Sequence, residues 1–121
     1  MEYQHTFKRL VVWQKAMSLV TNIYKNIKSF PKEELYGLSS QIKRSAISIP
    51  SNIAEGYGRK GNRDYLRFLN MSLSSLFELQ TQLEIAKNLT FLTEDCFGKI
   101  YEDTREVERM LTSFIDTVQK R

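Results

Sequence analysis

The sequence predicts an all-α fold, an antiparallel up-down-up-down four-helix bundle. Apolar residues recur at threes and fours along nearly the whole chain, which draws stripes down helices. No segment alternates with a period of two, and only five glycines and two prolines punctuate the 121 residues. Short connections make consecutive helices antiparallel neighbours. The expectation is one domain spanning residues 1–121, with helices at about 8–29, 38–57, 62–89 and 93–120. Helices of that length extend roughly 30 to 40 Å.

In the first segment, Trp13, Ala16, Val20, Ile23 and Ile27 form the predicted core stripe, with Val12, Met17, Leu19 and Tyr24 as a second apolar face. The stretch "SFPKEELYG" ends it, because Pro31 disfavours helical geometry at Phe30 and Gly37 gives a pivot. The second segment carries Leu38, Ile42, Ser45, Ile49 and either Asn52 or Ile53 on one stripe. Pro50 removes the hydrogen-bond partner of the Ala46 carbonyl, yet the apolar stripe continues past it, so one helix kinked at Pro50 is expected. Ser48, Ser51 and Asn52 can bond freed backbone groups there. Gly56 or Gly58 is expected to take the left-handed geometry that ends this helix.

Asn62 is the expected N-cap of the third helix. Its stripe is Tyr65, Leu69, Ser72, Leu76, Leu79, Leu83 and Ala86, with Leu66, Leu73 and Phe77 beside it. The fourth stripe is Phe97, Ile100, Thr104, Val107, Leu111, Phe114 and Val118, preceded by Thr93 as N-cap and by Glu94 and Asp95 in the first turn. Helices 1 and 3 are apolar over more than one stripe, and Tyr24, Phe68 and Phe77 fall off the core stripe. Self-association is one expected use of those faces.

Composition narrows the function. The chain is 41% hydrophobic and 26% charged, which fits a soluble globular domain. No uncharged run approaches the roughly 20 residues a membrane span needs. No secretory leader is recognisable, and a single cysteine, Cys96, excludes an internal disulfide, so a cytoplasmic location is expected. Residues 1–67 carry a net charge of +7 and the remainder −3, which suits either a polyanion partner or complementary patches between copies.

Catalytic and metal chemistry find little support. The segment "GYGRKG" matches G-x-G-x-x-G spacing at Gly56, Gly58 and Gly61, but that fingerprint needs a preceding strand, and a helix precedes it here. A lone histidine, His5, cannot supply the paired E-x-x-H motifs of a di-iron bundle. Cys96 has no histidine near it in sequence and is expected to pack in the first turn of helix 4. Glu55 has three readings: an ion pair with Arg59, a buried bond to a neighbouring helix, or catalysis, for which no second titrating group is at hand. No enzyme, cofactor or metal is therefore expected. The cations are more suggestive. Arg59, Lys60, Arg63 and Arg67 gather around the joint between helices 2 and 3, with Lys43 and Arg44 upstream and Tyr57 among them. Such residues can meet phosphates, and an aromatic can stack on unpaired bases. A solvated rim is the alternative.

The stretches "FKRLVVWQKAMSL", "FPKEELYGLSSQIKRSAISIPSNIAEGYGR" and "DYLRFLNMSLSSLFELQTQLEIA" resemble the bacterial ribosomal RNA intervening-sequence protein family, over about residues 7–92. "SIPSNIAEG" is the most specific part. The resemblance implies a four-helix bundle that assembles as a ring-like homopentamer of undefined biochemical role. A more distant relative, the accessory protein of diversity-generating retroelements, is a basic pentamer that binds nucleic acid and a reverse transcriptase. The matching motif positions are Ile49, Pro50, Asn52, Ile53, Ala54, Glu55 and Gly56, with Leu69, Ser75 and Glu78 in helix 3; the resemblance makes them packing and assembly positions. Two functions remain open: a non-enzymatic oligomer binding RNA or another nucleic acid through a basic surface, or a protein-interaction scaffold whose charge asymmetry serves ring assembly or a protein partner.

Overall fold

The computed structural model describes residues 6–121, so His5 lies outside the described residues. The fold is all-α. Four helices, α1 (Val11–Asn26), α2 (Leu38–Tyr57), α3 (Asn62–Asn88) and α4 (Glu94–Gln119), form a bundle with no strand among the described residues. Short 3-10 turns at Phe7–Arg9 and Ile27–Ser29 flank α1, and a third at Lys32–Glu34 leads into α2.

Helix α1 packs on α2 and α4, and α3 packs on the same two. Residue pairings run in opposite chain directions across the contacts. The Asn22 amide donates to Asp103 and Lys15 meets Glu106 across α1 and α4. Ser45 meets Gln82, and Ser72 meets the Ile49 carbonyl, across α2 and α3. Asn62 meets the Val118 carbonyl, and Gln80 meets Thr104, across α3 and α4. The α2–α3 joint therefore sits beside the last turn of α4.

The core is built from the stripes. All seven α3 stripe residues are buried. In α2, Ile53 takes the inner position and Asn52 stays half-buried. In α4, Ile100, Thr104, Val107, Leu111 and Val118 are buried, joined by Ile115, while Phe97 and Phe114 pack at the edge. In α1 the buried line is Val12, Ala16, Leu19 and Ile23, continued by Ile27 in the following 3-10 turn, and Trp13 and Val20 are only half-buried. The inner line is thus rotated toward what sequence spacing ranks as the second face. Both faces are apolar, and the positions of α2 and α4 decide which turns inward. Each fully buried Leu or Ile contributes about 1.5 to 3 kcal/mol.

Caps explain the ends. Thr93 accepts a hydrogen bond from the Cys96 backbone N–H at 3.1 Å and starts α4. Cys96 itself is exposed, not packed as expected, because it lies on the outer side of that first turn. At α2 the Glu34 carboxylate accepts from the Leu38 N–H at 3.0 Å. Gly61, with φ 83°, caps α3 in place of the expected Asn62, which is instead the first helical residue.

Candidate nucleic-acid interface

Pro50 sits inside α2, which runs through it as one helix. The polar side chains around it bond one another and the neighbouring backbone. The Asn52 amide donates to both the carbonyl and the hydroxyl of Ser48 at 2.8 Å, and Ser48 shares a 2.8 Å hydrogen bond with Ser75 of α3. Ser51 is exposed and takes no part. Glu78 is exposed and accepts a 3.4 Å bond from Gln82, while Leu69 is fully buried. The Ser48–Ser75 bond thus ties α2 to α3 beside Pro50, with Asn52 holding Ser48 in place.

Gly56 is needed for closeness rather than for a left-handed turn. A Cβ there would lie 2.8 Å from Phe68 Cβ and 3.0 Å from Tyr65 Cδ1. Gly58 closes α2 with φ −80°, an ordinary right-handed value, so the left-handed residue of the joint is Gly61 and neither Gly56 nor Gly58. The reason is that the chain leaves α2 through a short turn, with the Arg59 N–H donating to the Gly56 carbonyl at 3.0 Å, and reverses only at Gly61.

This joint places the cations. Arg59 pairs with Glu55 at 3.2 Å and Arg67 with Asp64 at 3.5 Å. Both guanidinium groups also stack on the Phe68 ring, at 4.7 and 4.6 Å from its centroid. Phe68, expected to be an exposed interface aromatic, is therefore only 6% exposed. Glu55 is exposed and adopts the ion-pair reading, not the buried one. Lys60 and Arg63 are exposed and form no ion pair among the described residues; Arg63 stands one helical turn before Arg67.

The structure does not bring all six predicted cations together. Lys43 and Arg44 lie nearly four turns, about 20 Å, before the end of α2. Lys43 turns toward α1, its ammonium group 5.2 Å from the centre of the Tyr24 ring, and Arg44 is exposed.

Two features of the joint escape a reading by local spacing. Asn62 ties α3 to the end of α4 by donating to the Val118 carbonyl at 3.2 Å. Arg121 is close enough to Tyr65 for its charge to act on the phenol. The Tyr65 ring is buried between Tyr57 and Phe114, at 6.3 and 5.9 Å between centroids. Its hydroxyl has no hydrogen-bond partner among the described residues. Burial pushes this phenol up to about 12, against the opposing pull of Arg121. Among the described residues no three His, Cys, Asp or Glu side chains converge to hold a metal ion.

Residues 8–113 match the model of the 23S rRNA-intervening sequence protein family. The chain belongs to that family. A crystal structure of a protein with unknown function from the S23 ribosomal protein family of Bacteroides thetaiotaomicron has a similar fold, with a TM-score of 0.81 at 28% identity. The match covers 88% of this chain and 96% of that one. None of the curated proteins compared with the chain matches it. Neither the intervening-sequence family's description nor that neighbour's name specifies a catalytic activity. Among the described residues no helix is long and apolar enough to cross a membrane.

Proposed function

We propose that this member of the intervening-sequence family is a non-enzymatic, oligomeric helical-bundle protein that binds RNA in the cytoplasm, using the cations of the α2–α3 joint as its basic surface. The observation that carries this reading is the grouping of Arg59, Lys60, Arg63 and Arg67 at one end of the bundle. Two of them are pre-positioned on Phe68, and Lys60 and Arg63 form no ion pair among the described residues. Guanidinium groups held on a ring keep their forked donors in place, which suits phosphate oxygens. Contacts of this kind track the backbone and carry little base specificity. Binding through about four phosphates gives a slope near −3 in log affinity against log salt for single strands.

The test is fluorescence anisotropy with labelled single-stranded and hairpin RNA across a salt series. Replacing Arg59, Lys60, Arg63 and Arg67 with Gln is expected to weaken binding at least about tenfold and flatten the slope, while thermal unfolding stays cooperative. Unchanged affinity in that variant rejects the reading.

A second reading, a scaffold assembled as a homopentamer or docked on a protein partner, is favoured by exposed apolar side chains. Met17, Tyr24 and Ile47 are each 37 to 44% exposed on α1 and α2, and Phe77 and Ile85 are exposed on α3. Sedimentation velocity over a concentration range tests it. A species that stays monomeric throughout rejects assembly.

A further inference from the structure

The connection between α1 and α2 borders an open cavity of about 450 Å³, within the range of small-molecule sites. One wall is apolar: Tyr24, Phe30, Pro31 and Leu35 line it. Phe30 is held there by its packing on Phe91, with centroids 5.5 Å apart. Leu35 remains 51% exposed, so apolar surface is left open at the mouth. The charged lining has one sign only, from Lys28, Lys32 and Lys43. None of the three forms an ion pair among the described residues. The nearby Glu34 carboxylate is occupied by the Leu38 N–H and does not line the cavity.

A lining that combines three lysines with apolar side chains is complementary to an amphipathic anion. We propose that this cavity binds a small organic anion, with its apolar body on Tyr24, Phe30, Pro31 and Leu35 and its acidic group among Lys28, Lys32 and Lys43. The site is independent of the RNA reading, and it gives Lys43 a role apart from the joint cations.

The probe is anilinonaphthalene sulfonate, titrated into ¹⁵N-labelled full-length protein and followed by amide chemical shifts. Saturable shifts confined to residues 24–43 are expected, with an uncharged phenylnaphthylamine binding at least about tenfold more weakly. Replacing Lys28, Lys32 and Lys43 together with Gln is expected to cost at least about tenfold in probe affinity and to leave RNA affinity unchanged. Lys32→Gln alone, at an exposed position, gives a severalfold loss and serves if the triple variant does not fold. The proposal is overturned by shifts scattered over the bundle or by equal binding of the uncharged analogue. It is also overturned by retained affinity in the lysine variants, or by simple dilution reproducing the same shifts, which would mark a contact between copies. A parallel loss of RNA affinity in the lysine variant would assign these lysines to the RNA surface instead.

Discussion

Three residues around the α2–α3 joint show how local chemistry sets stability. Gly56 has Phe68 and Tyr65 where a Cβ would go, whereas an added Cβ at Gly58 meets only the Glu55 carbonyl at 3.7 Å. Gly56→Ala is therefore expected to cost about 1 to 3 kcal/mol through overpacking. Gly58→Ala should be neutral or slightly stabilising, because its backbone is already right-handed. Urea denaturation of the two variants checks this, and equal effects would contradict it. Tyr65 carries a buried hydroxyl without a partner, which costs about 1 to 3 kcal/mol. Tyr65→Phe should therefore raise the unfolding midpoint at neutral pH. The phenol moves from an ordinary 10.0 to about 12 on folding, so the folded chain holds the proton more tightly. That contribution is full below pH 10 and is lost as pH rises through about 12. Tyr65→Phe should remove this alkaline loss, and the variant's advantage should widen between pH 10 and 12. A constant difference across that window would show that the phenol does not titrate as its burial implies.

At the scale of elements, two devices hold helices in place. The Thr93 hydroxyl satisfies an otherwise unbonded N–H at the start of α4, so Thr93→Ala should cost about 1 kcal/mol. Circular dichroism melting is the measurement, and an unchanged midpoint would mean the cap is replaceable by water. The second device is the polar seam between α2 and α3. Ser45 bonds Gln82 at 2.7 Å, Ser72 bonds the Ile49 carbonyl at 2.8 Å, and small side chains let the helices approach closely. Ser72 is fully buried, so Ser72→Leu has no space to enter and should destabilise by roughly 1 to 3 kcal/mol. This seam also accounts for the company Pro50 keeps. The helix passes through it while Asn52 and Ser48 bond locally and Ser48 reaches Ser75. The 3-10 turns around Pro31 belong to the same scale, since they shape the cavity wall next to Lys32.

For the whole molecule, the helix pairings collect the end of α2, the start of α3 and the end of α4 at one end of the bundle. There Glu55 and Asp64 partly neutralise Arg59 and Arg67. Exposed pairs of this kind are worth roughly 0.2 to 1 kcal/mol. On the RNA reading, replacing Glu55 with Gln and Asp64 with Asn should strengthen RNA binding by up to severalfold at low salt, measured by anisotropy. Weaker binding would mean that the carboxylates orient the guanidinium groups more than they compete for them. The helical class, the α3 core stripe, the Thr93 cap and the position of the cationic joint were legible in the sequence, because each depends on residues within a few positions of one another. The buried face of α1 was not, since two apolar faces compete and only the neighbouring helices choose between Trp13 and Val12. Nor was the burial of Phe68 under two arginines, the tie from Asn62 to α4, or the place of Lys43 at the α1–α2 cavity. Asn62 and Lys43 meet partners on other helices, and Phe68 is covered by Arg59 from across the turn between α2 and α3. Local periodicity says which way a side chain faces on its own helix, and only packing in three dimensions decides what stands opposite it.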